Sequence, residues 1–115
     1  MDEFSWFVGL YEGEGTFQVN KNNSYQTSIR ISMTDEDTIA RAAGFLGISY
    51  RFRHPPSWKS KGWKPQWFFE YKGLKSIDMI KKMLPYLSKR RQEQVREKLE
   101  LREKNVKPLG RPRKT

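Results

Sequence analysis

Four short stretches of alternating apolar and polar residues, set in two pairs, constrain this chain more than any other feature. Residues 16–22 put Phe17 and Val19 on one side and Gln18, Asn20 and Asn22 on the other. Residues 25–34 put Ile29, Ile31 and Met33 inward and Gln26, Ser28, Arg30 and Ser32 outward. A period of two marks a half-buried strand. Asn22-Asn23-Ser24 between the runs is turn chemistry, so the pair predicts a β-hairpin. Residues 48–54 alternate again, with Ile48, Tyr50 and Phe52 against Ser49, Arg51 and Arg53. Residues 66–72 form the fourth run. Its three consecutive aromatics leave the facing ambiguous, and Trp67, Phe69 and Tyr71 are assigned inward, opposite Gln66, Glu70 and Lys72.

Helical segments separate and follow these pairs. Residues 3–13 are apolar almost all round and are expected to be buried, with Gly15 ending the helix. Thr34 to Asp37 offers N-cap candidates for a helix over 36–46 that packs through Ile39, Ala43, Phe45 and Leu46 and stops at Gly47. Leu74, Ile77, Ile80 and Met83 have helical spacing in 74–83, before Pro85. Residues 88–104 read as a charged helix with Val95, Leu99 and Leu101 as its apolar contacts. The order, helix, hairpin, helix, hairpin and two helices, predicts an α+β fold with an antiparallel sheet, αββαββα followed by a further helix. One domain is expected over 1–104, followed by a flexible basic tail over 105–115.

The chain of 115 residues carries a net charge of +10 and no cysteine. Disulfides and thiolate zinc sites are thereby excluded, and the single His54 excludes a histidine-rich metal site. No apolar run reaches the roughly 18 residues of a membrane span. The apolar start is flanked by Asp2 and Glu3, the opposite of a secretory signal, so an intracellular protein without a membrane partner is expected. The charge is uneven: residues 1–46 hold 3 basic and 7 acidic side chains, 47–87 hold 9 and 2, and 88–115 hold 11 and 4. The basic regions point to nucleic acid. The acidic first part needs a separate explanation, because carboxylates near a duplex are repelled unless a cation intervenes.

Gly9 and Gly13 lie four apart, on one face of the first helix. Each costs about 1 kcal/mol against alanine in a helix interior. Close approach of a second helix would offset that cost, and an identical helix across a two-fold axis is the simplest partner. Incidental glycines in a core helix are the plain alternative. Glu12 and Glu14 sit at the helix C-terminus, where the macrodipole disfavours them. If two such helices cross, converging carboxylates are tolerated when one protonates or when cations sit between them, and hard oxygen ligands near phosphates suit Mg²⁺.

FVGLYEGEG at 7–15, followed by Thr16-Phe17, resembles the LAGLIDADG motif of homing endonucleases. Gly9, Leu10 and Gly15 are identical to that consensus, and Glu replaces Asp at 12 and 14. The element order and the segments MTDED at 33–37 and LPYLSKRRQ at 84–92 extend the resemblance over residues 4–104. It implies a saddle-shaped four-stranded antiparallel sheet and a homodimer whose motif helices meet through Phe4, Phe7, Val8, Gly9, Leu10 and Gly13. It implies that Glu14, helped by the Gly13 carbonyl, holds the catalytic metal, and that Glu12 is structural. The metal implied is Mg²⁺, or Mn²⁺ in its place, with Ca²⁺ as a non-cleaving substitute. Lys89 matches a lysine that supports the reaction electrostatically, with Arg90 as its rival. Asp35 stands where the family often orders water, or is simply the helix cap.

The outward side chains are Gln18, Asn20 and Asn22; Gln26, Ser28, Arg30 and Ser32; Ser49, Arg51 and Arg53; and Gln66, Glu70 and Lys72. Arg, Gln and Asn pair bidentately with base edges in the major groove. About ten residues of strand span about 33 Å, roughly one turn of DNA, which suggests half-sites of about 8–10 base pairs and a near-palindromic target. Lys59 and Lys61 in the 55–65 loop are expected to meet phosphates. The tail GRPRK resembles an AT-hook core, with a plain basic tail as the alternative. The function expected is site-specific double-strand DNA cleavage by metal-assisted phosphodiester hydrolysis. The alternative is a non-cleaving nucleic-acid-binding derivative, an intron maturase or a DNA-binding regulator.

Overall fold

A computed structural model describes residues 2–53 and 66–106. The described elements are α1 (Glu3–Glu14), β1 (Gly15–Asn20), β2 (Gln26–Met33), α2 (Glu36–Leu46), β3 (Arg51–Arg53), β4 (Gln66–Lys72), α3 (Leu74–Met83) and α4 (Lys89–Asn105). Short 3-10 turns fill Lys21–Asn23 and Leu84–Tyr86. The fold is α+β, with one open antiparallel sheet in the order β1-β2-β4-β3.

The strand registers divide the sheet cleanly into two faces. Phe17 pairs with Ile29 and Ile29 with Tyr71; Ile31 pairs with Phe69, and Met33 with Trp67. This row faces the helices, which settles the ambiguous β4 in favour of Trp67, Phe69 and Tyr71. Phe7 and Tyr11 of α1, Ile39 and Ala43 of α2, Ile80 and Met83 of α3 and Val95 of α4 complete the core. Each fully buried large aliphatic or Phe side chain here is worth about 1.5–3 kcal/mol.

Several expectations need correction. Helix α1 is not buried all round: Phe7, Val8 and Tyr11 are buried, while Ser5, Gly9 and Gly13 are exposed. A helix packed on one side of a small core keeps an open opposite face. Strand β1 ends at Asn20, because the Asn20 side chain accepts the Asn22 N–H at 3.0 Å and bends the chain into a 3-10 turn. Asn22 therefore stands in the turn rather than on the strand face. Strand β3 is shorter than 48–54: Ile48 and Tyr50 pack on the core from outside the sheet. The Tyr50 hydroxyl is held by Glu36 at 2.8 Å. Leu74 at the start of α3 is exposed rather than in the core.

The helix ends follow their sequence signals. Asp2 caps α1 by accepting the Ser5 N–H at 2.6 Å, and Ser88 caps α4 by accepting the Arg91 N–H at 3.3 Å. Gly47 ends α2 in the left-handed region at φ 73°. Gly15 has another reason to be glycine: a Cβ there would collide with the Tyr11 ring. The turn from α1 into β1 is thus drawn tightly over a buried aromatic.

Candidate nucleic-acid interface

The face of the sheet away from the helices carries Thr16, Gln18 and Asn20 on β1 and Gln26, Ser28, Arg30 and Ser32 on β2. β4 adds Gln66, Phe68, Glu70 and Lys72, and β3 adds Arg51 and Arg53. Strand periodicity anticipates most of this set; it adds Asn22 and Ser49, which lie outside the strands, and leaves out Thr16 and Phe68. Phe68 belongs to it, because the even-numbered residues of β4 share the register of Arg30 and Ser32. Ser28 lies on this face but is only 8% exposed, between Gln18 of β1 and Lys72 of β4. It is thereby removed from the residues that can reach a base directly.

Three strands share one ionic network across this surface. Arg30 Nε lies 3.2 Å from Glu70 Oε2, and Arg30 Nη1 donates to Gln18 Oε1 at 3.4 Å. Lys72 Nζ lies 3.6 Å from the other Glu70 oxygen. These contacts are part-exposed and contribute little to stability, but they fix where the Arg30 guanidinium points. The Arg53 guanidinium sits over the Phe68 ring, 4.7 Å from its centroid. Among the described residues neither Arg51 nor Arg53 has an ion-pair partner. Lys59 and Lys61, with the rest of the 54–65 segment, lie outside the described residues, as does the tail from 107 onward.

Beside this network lies a groove of about 240 Å³ lined by Glu14, Gln18, Arg30, Ser32, Arg53 and Phe68 among others. Glu14 is exposed and has no hydrogen-bond or ion-pair partner among the described residues. Glu12, two residues earlier, points elsewhere. Its carboxylate accepts the Ser88 backbone N–H at 2.9 Å and the Ser88 hydroxyl at 2.7 Å. These bonds, with Arg91 nearby, hold its pKa below the ordinary carboxylate value. Arg91 Nε donates to the Glu12 carbonyl at 3.2 Å and Arg91 Nη1 to the Gly15 carbonyl at 2.8 Å. Helix α1 has no basic residue in its last turn. Arg91 supplies the cation from another helix, offsetting the macrodipole penalty of two terminal glutamates. Its guanidinium also lies 5.3 Å from the Tyr11 ring centroid, and burial pushes the Tyr11 hydroxyl up to about 12. Nothing in the sequence pattern pointed to Arg91, since the contact depends on how α4 crosses the end of α1.

Lys89 and Arg90 are exposed in the first turn of α4, which Glu12–Ser88 and Arg91 tie to the end of α1. Asp35 occupies the N-cap position of α2, and its carboxylate accepts the Thr38 hydroxyl at 2.6 Å rather than a backbone N–H. Among the described residues no three or more acidic or histidine groups are placed to hold a metal ion together. One carboxylate per chain still fits Mg²⁺ chemistry, which commonly uses one or two carboxylates together with substrate phosphates. Gly13 precedes Glu14 in the last turn, where helix carbonyls lack intrahelical partners.

Of the residues expected at a two-fold interface, Gly9 and Gly13 are exposed, and a Cβ on either would meet nothing within 4 Å. Phe4 and Leu10 are partly buried. Phe7 is fully buried and packs against Phe45 with ring centroids 5.3 Å apart, so it belongs to the protomer's own core and not to any interface. Val8 is only 8% exposed and has little left to offer a partner. Among the described residues no helix is long and apolar enough to cross a membrane. Comparison of the chain with family models, with curated proteins and with solved structures gives no match.

Proposed function

We propose that this chain is a LAGLIDADG-type, site-specific double-strand DNA endonuclease that works as a homodimer on a near-palindromic site. The observation that carries the proposal is Glu14: an exposed carboxylate without a partner among the described residues, on the wall of a groove whose other polar walls are Thr16, Gln18, Arg30, Ser32 and Arg53. Its neighbour Glu12 is consumed by the α1–α4 junction, which agrees with the structural role the motif assigns it. Unlike Glu70, which Arg30 and Lys72 neutralise, the Glu14 carboxylate repels phosphate unless a cation bridges the two.

Glu14 and the Gly13 carbonyl would hold Mg²⁺ or Mn²⁺, with remaining ligands from scissile phosphates and the second subunit. The chemistry such an ion supplies is Lewis-acid activation and neutralisation of phosphate charge. Lys89 and Arg90 add positive potential at the same end of α1. Arg51, Arg53, Arg30, Gln18 and Gln26 read base edges in the major groove. Strand β2 has eight residues and spans about 26 Å, so a half-site of about 8 base pairs per subunit follows. The exposed Ser5, Gly9 and Gly13 face admits a second α1 at close range. Exposed Tyr86, edge-on to Phe4 at 5.9 Å, flanks it. The saddle shape of the sheet belongs to this proposal, as the form that straddles a duplex.

A cleavage selection tests it: purified protein with Mg²⁺ on a randomised duplex library, with a chelator control. Metal-dependent double-strand cuts at one near-palindromic sequence are expected. Tight binding without any cut would instead indicate a non-cleaving derivative of the same fold.

A further inference from the structure

The polar surface beside Glu14 continues past the edge of the sheet. β1 is the first strand in the sheet order, and α4 packs along it. Between them runs a cleft of about 340 Å³ with Thr16 and Gln18 of β1 on one wall and Arg91, Gln94 and Lys98 of α4 on the other. Thr16 and Gln18 also line the groove beside Glu14. The two depressions therefore share β1 as a common wall.

Helix α4 sorts its charges by face. Arg91, Gln94, Lys98, Arg102 and Asn105 follow one another at spacings of three and four, which places them on one ridge. Glu93, Glu97, Glu100 and Glu103 do the same on another ridge. Arg96 and Lys104 each have a glutamate three or four residues away, whereas Arg91, Lys98 and Arg102 have none. Among the described residues Lys98 and Arg102 have no ion-pair partner. Arg91 donates to two backbone carbonyls, which engages part of its guanidinium without cancelling its charge. From Arg91 to Arg102 the ridge runs about 16 Å along the helix. A duplex strand presents one phosphate per about 3.4 Å of axis, so several phosphates match that length.

We propose that this ridge is a second nucleic-acid contact, a phosphate track on which a duplex seated on the sheet continues past β1 to meet Lys98 and Arg102. The inference rests on the nucleic-acid function proposed above and adds a surface that the sheet alone does not provide. Gln94, inside the cleft, donates to the same strand. Contacts of this kind position the duplex and raise affinity without reading sequence. The glutamate ridge turns the other side of α4 away from the duplex.

Salt-dependent binding of the full chain to a labelled mixed-sequence duplex tests the track, with melting temperatures recorded for every variant. Lys98→Gln with Arg102→Gln should lower the slope of log K against log salt by about 2, roughly 1 for each phosphate no longer neutralised. The exposed single substitution Lys98→Gln should lower it by about 1 and keeps the test open if the double variant fails to fold. Glu97→Gln with Glu100→Gln changes net charge equally in the opposite sense and should leave the slope unaltered. An unchanged slope in the Lys98 and Arg102 variants overturns the track while leaving the nuclease proposal standing. Slopes that follow net charge in both pairs also overturn it. Absence of duplex binding by the wild-type chain overturns the track and the nuclease proposal together.

Discussion

Glu12 and Ser88 join the end of the first helix to the start of the last. The carboxylate takes both the backbone N–H and the hydroxyl of Ser88, at 2.9 and 2.7 Å, while the same hydroxyl oxygen caps α4 by accepting the Arg91 N–H. Two residues on, Glu14 is about 200° further round the helix and lines the groove on the outer sheet face. Two glutamates two residues apart thus have opposite fates: one is a structural clasp, the other an exposed carboxylate without a partner among the described residues.

The clasp carries a pH signature. Ser88's N–H and hydroxyl, together with Arg91, hold the Glu12 pKa below its ordinary value of 4.5. The unfolded chain therefore binds a proton there more readily. The stabilisation is fully present above pH 4.5 and is lost as pH falls through the lower folded value. Glu12→Ala should cost about 1 kcal/mol near neutrality, after discounting for solvent exposure, and much less in acid. Urea unfolding at the two pH values checks this; an equal loss at both would remove the charge from the explanation.

A second junction is buried. Thr27 Oγ1 lies 2.7 Å from Ser76 Oγ, and both hydroxyls reach the Gly73 carbonyl, at 3.1 and 2.6 Å. Gly73 itself sits at φ 87°, so the trio fixes a turn only glycine adopts freely. Thr27→Val and Ser76→Ala should each cost about 1 kcal/mol, and the pair less than their sum, because both remove the same network. A strictly additive double-mutant cycle would show that the hydroxyls act independently.

The exposed glycines separate folding from assembly. A Cβ at Gly9 meets nothing within 4 Å inside the protomer. Gly9→Ala should therefore stabilise the protomer by up to about 1 kcal/mol through helix propensity. A bulkier Gly9→Leu should dissociate the proposed dimer while the protomer stays folded. Sedimentation measures the mass, and circular dichroism the fold. A Gly9→Leu protein that remains dimeric would place the subunit contact elsewhere.

Most of the fold was legible because its signals are local. The alternation around Ile29 and Ile31, the helix from Glu36 to its stop at Gly47, and the Leu74–Met83 segment before Pro85 all depend on neighbours in sequence. What escaped depends on register and crossing. Phe68 is apolar yet stands on the polar face, because period two outranks residue type within a strand. The Arg30–Glu70 pair needs β2 beside β4, which sequence order does not give. Arg91 acts as a helix cap for another helix, and no spacing rule within α4 announces it. Ser28 satisfies the pattern of an outward residue but lies beneath longer neighbours. Phe7 and Val8 belong to an apolar run, and only the packing of α1 assigns them to the core rather than to an outer surface.

Arg30 and Glu70 give the reading surface its most specific test. Arg30→Ala should cost about 1–3 kcal/mol on the preferred duplex if the guanidinium meets a base, and relax preference at one position. Glu70→Gln removes a carboxylate from the face and frees Arg30, so binding to all duplexes should tighten. Competition binding on a panel of single-base variants measures both. A uniform, small loss for Arg30→Ala would reduce it to a phosphate contact.

In the proposed nuclease Glu14 serves catalysis and not folding or binding. The direct measurement compares wild type with Glu14→Gln on one selected duplex, following cleavage with Mg²⁺ and binding with Ca²⁺. Cleavage should be abolished, with affinity within a few-fold of wild type and an unchanged melting temperature. Cleavage at the wild-type rate by Glu14→Gln would contradict the metal assignment.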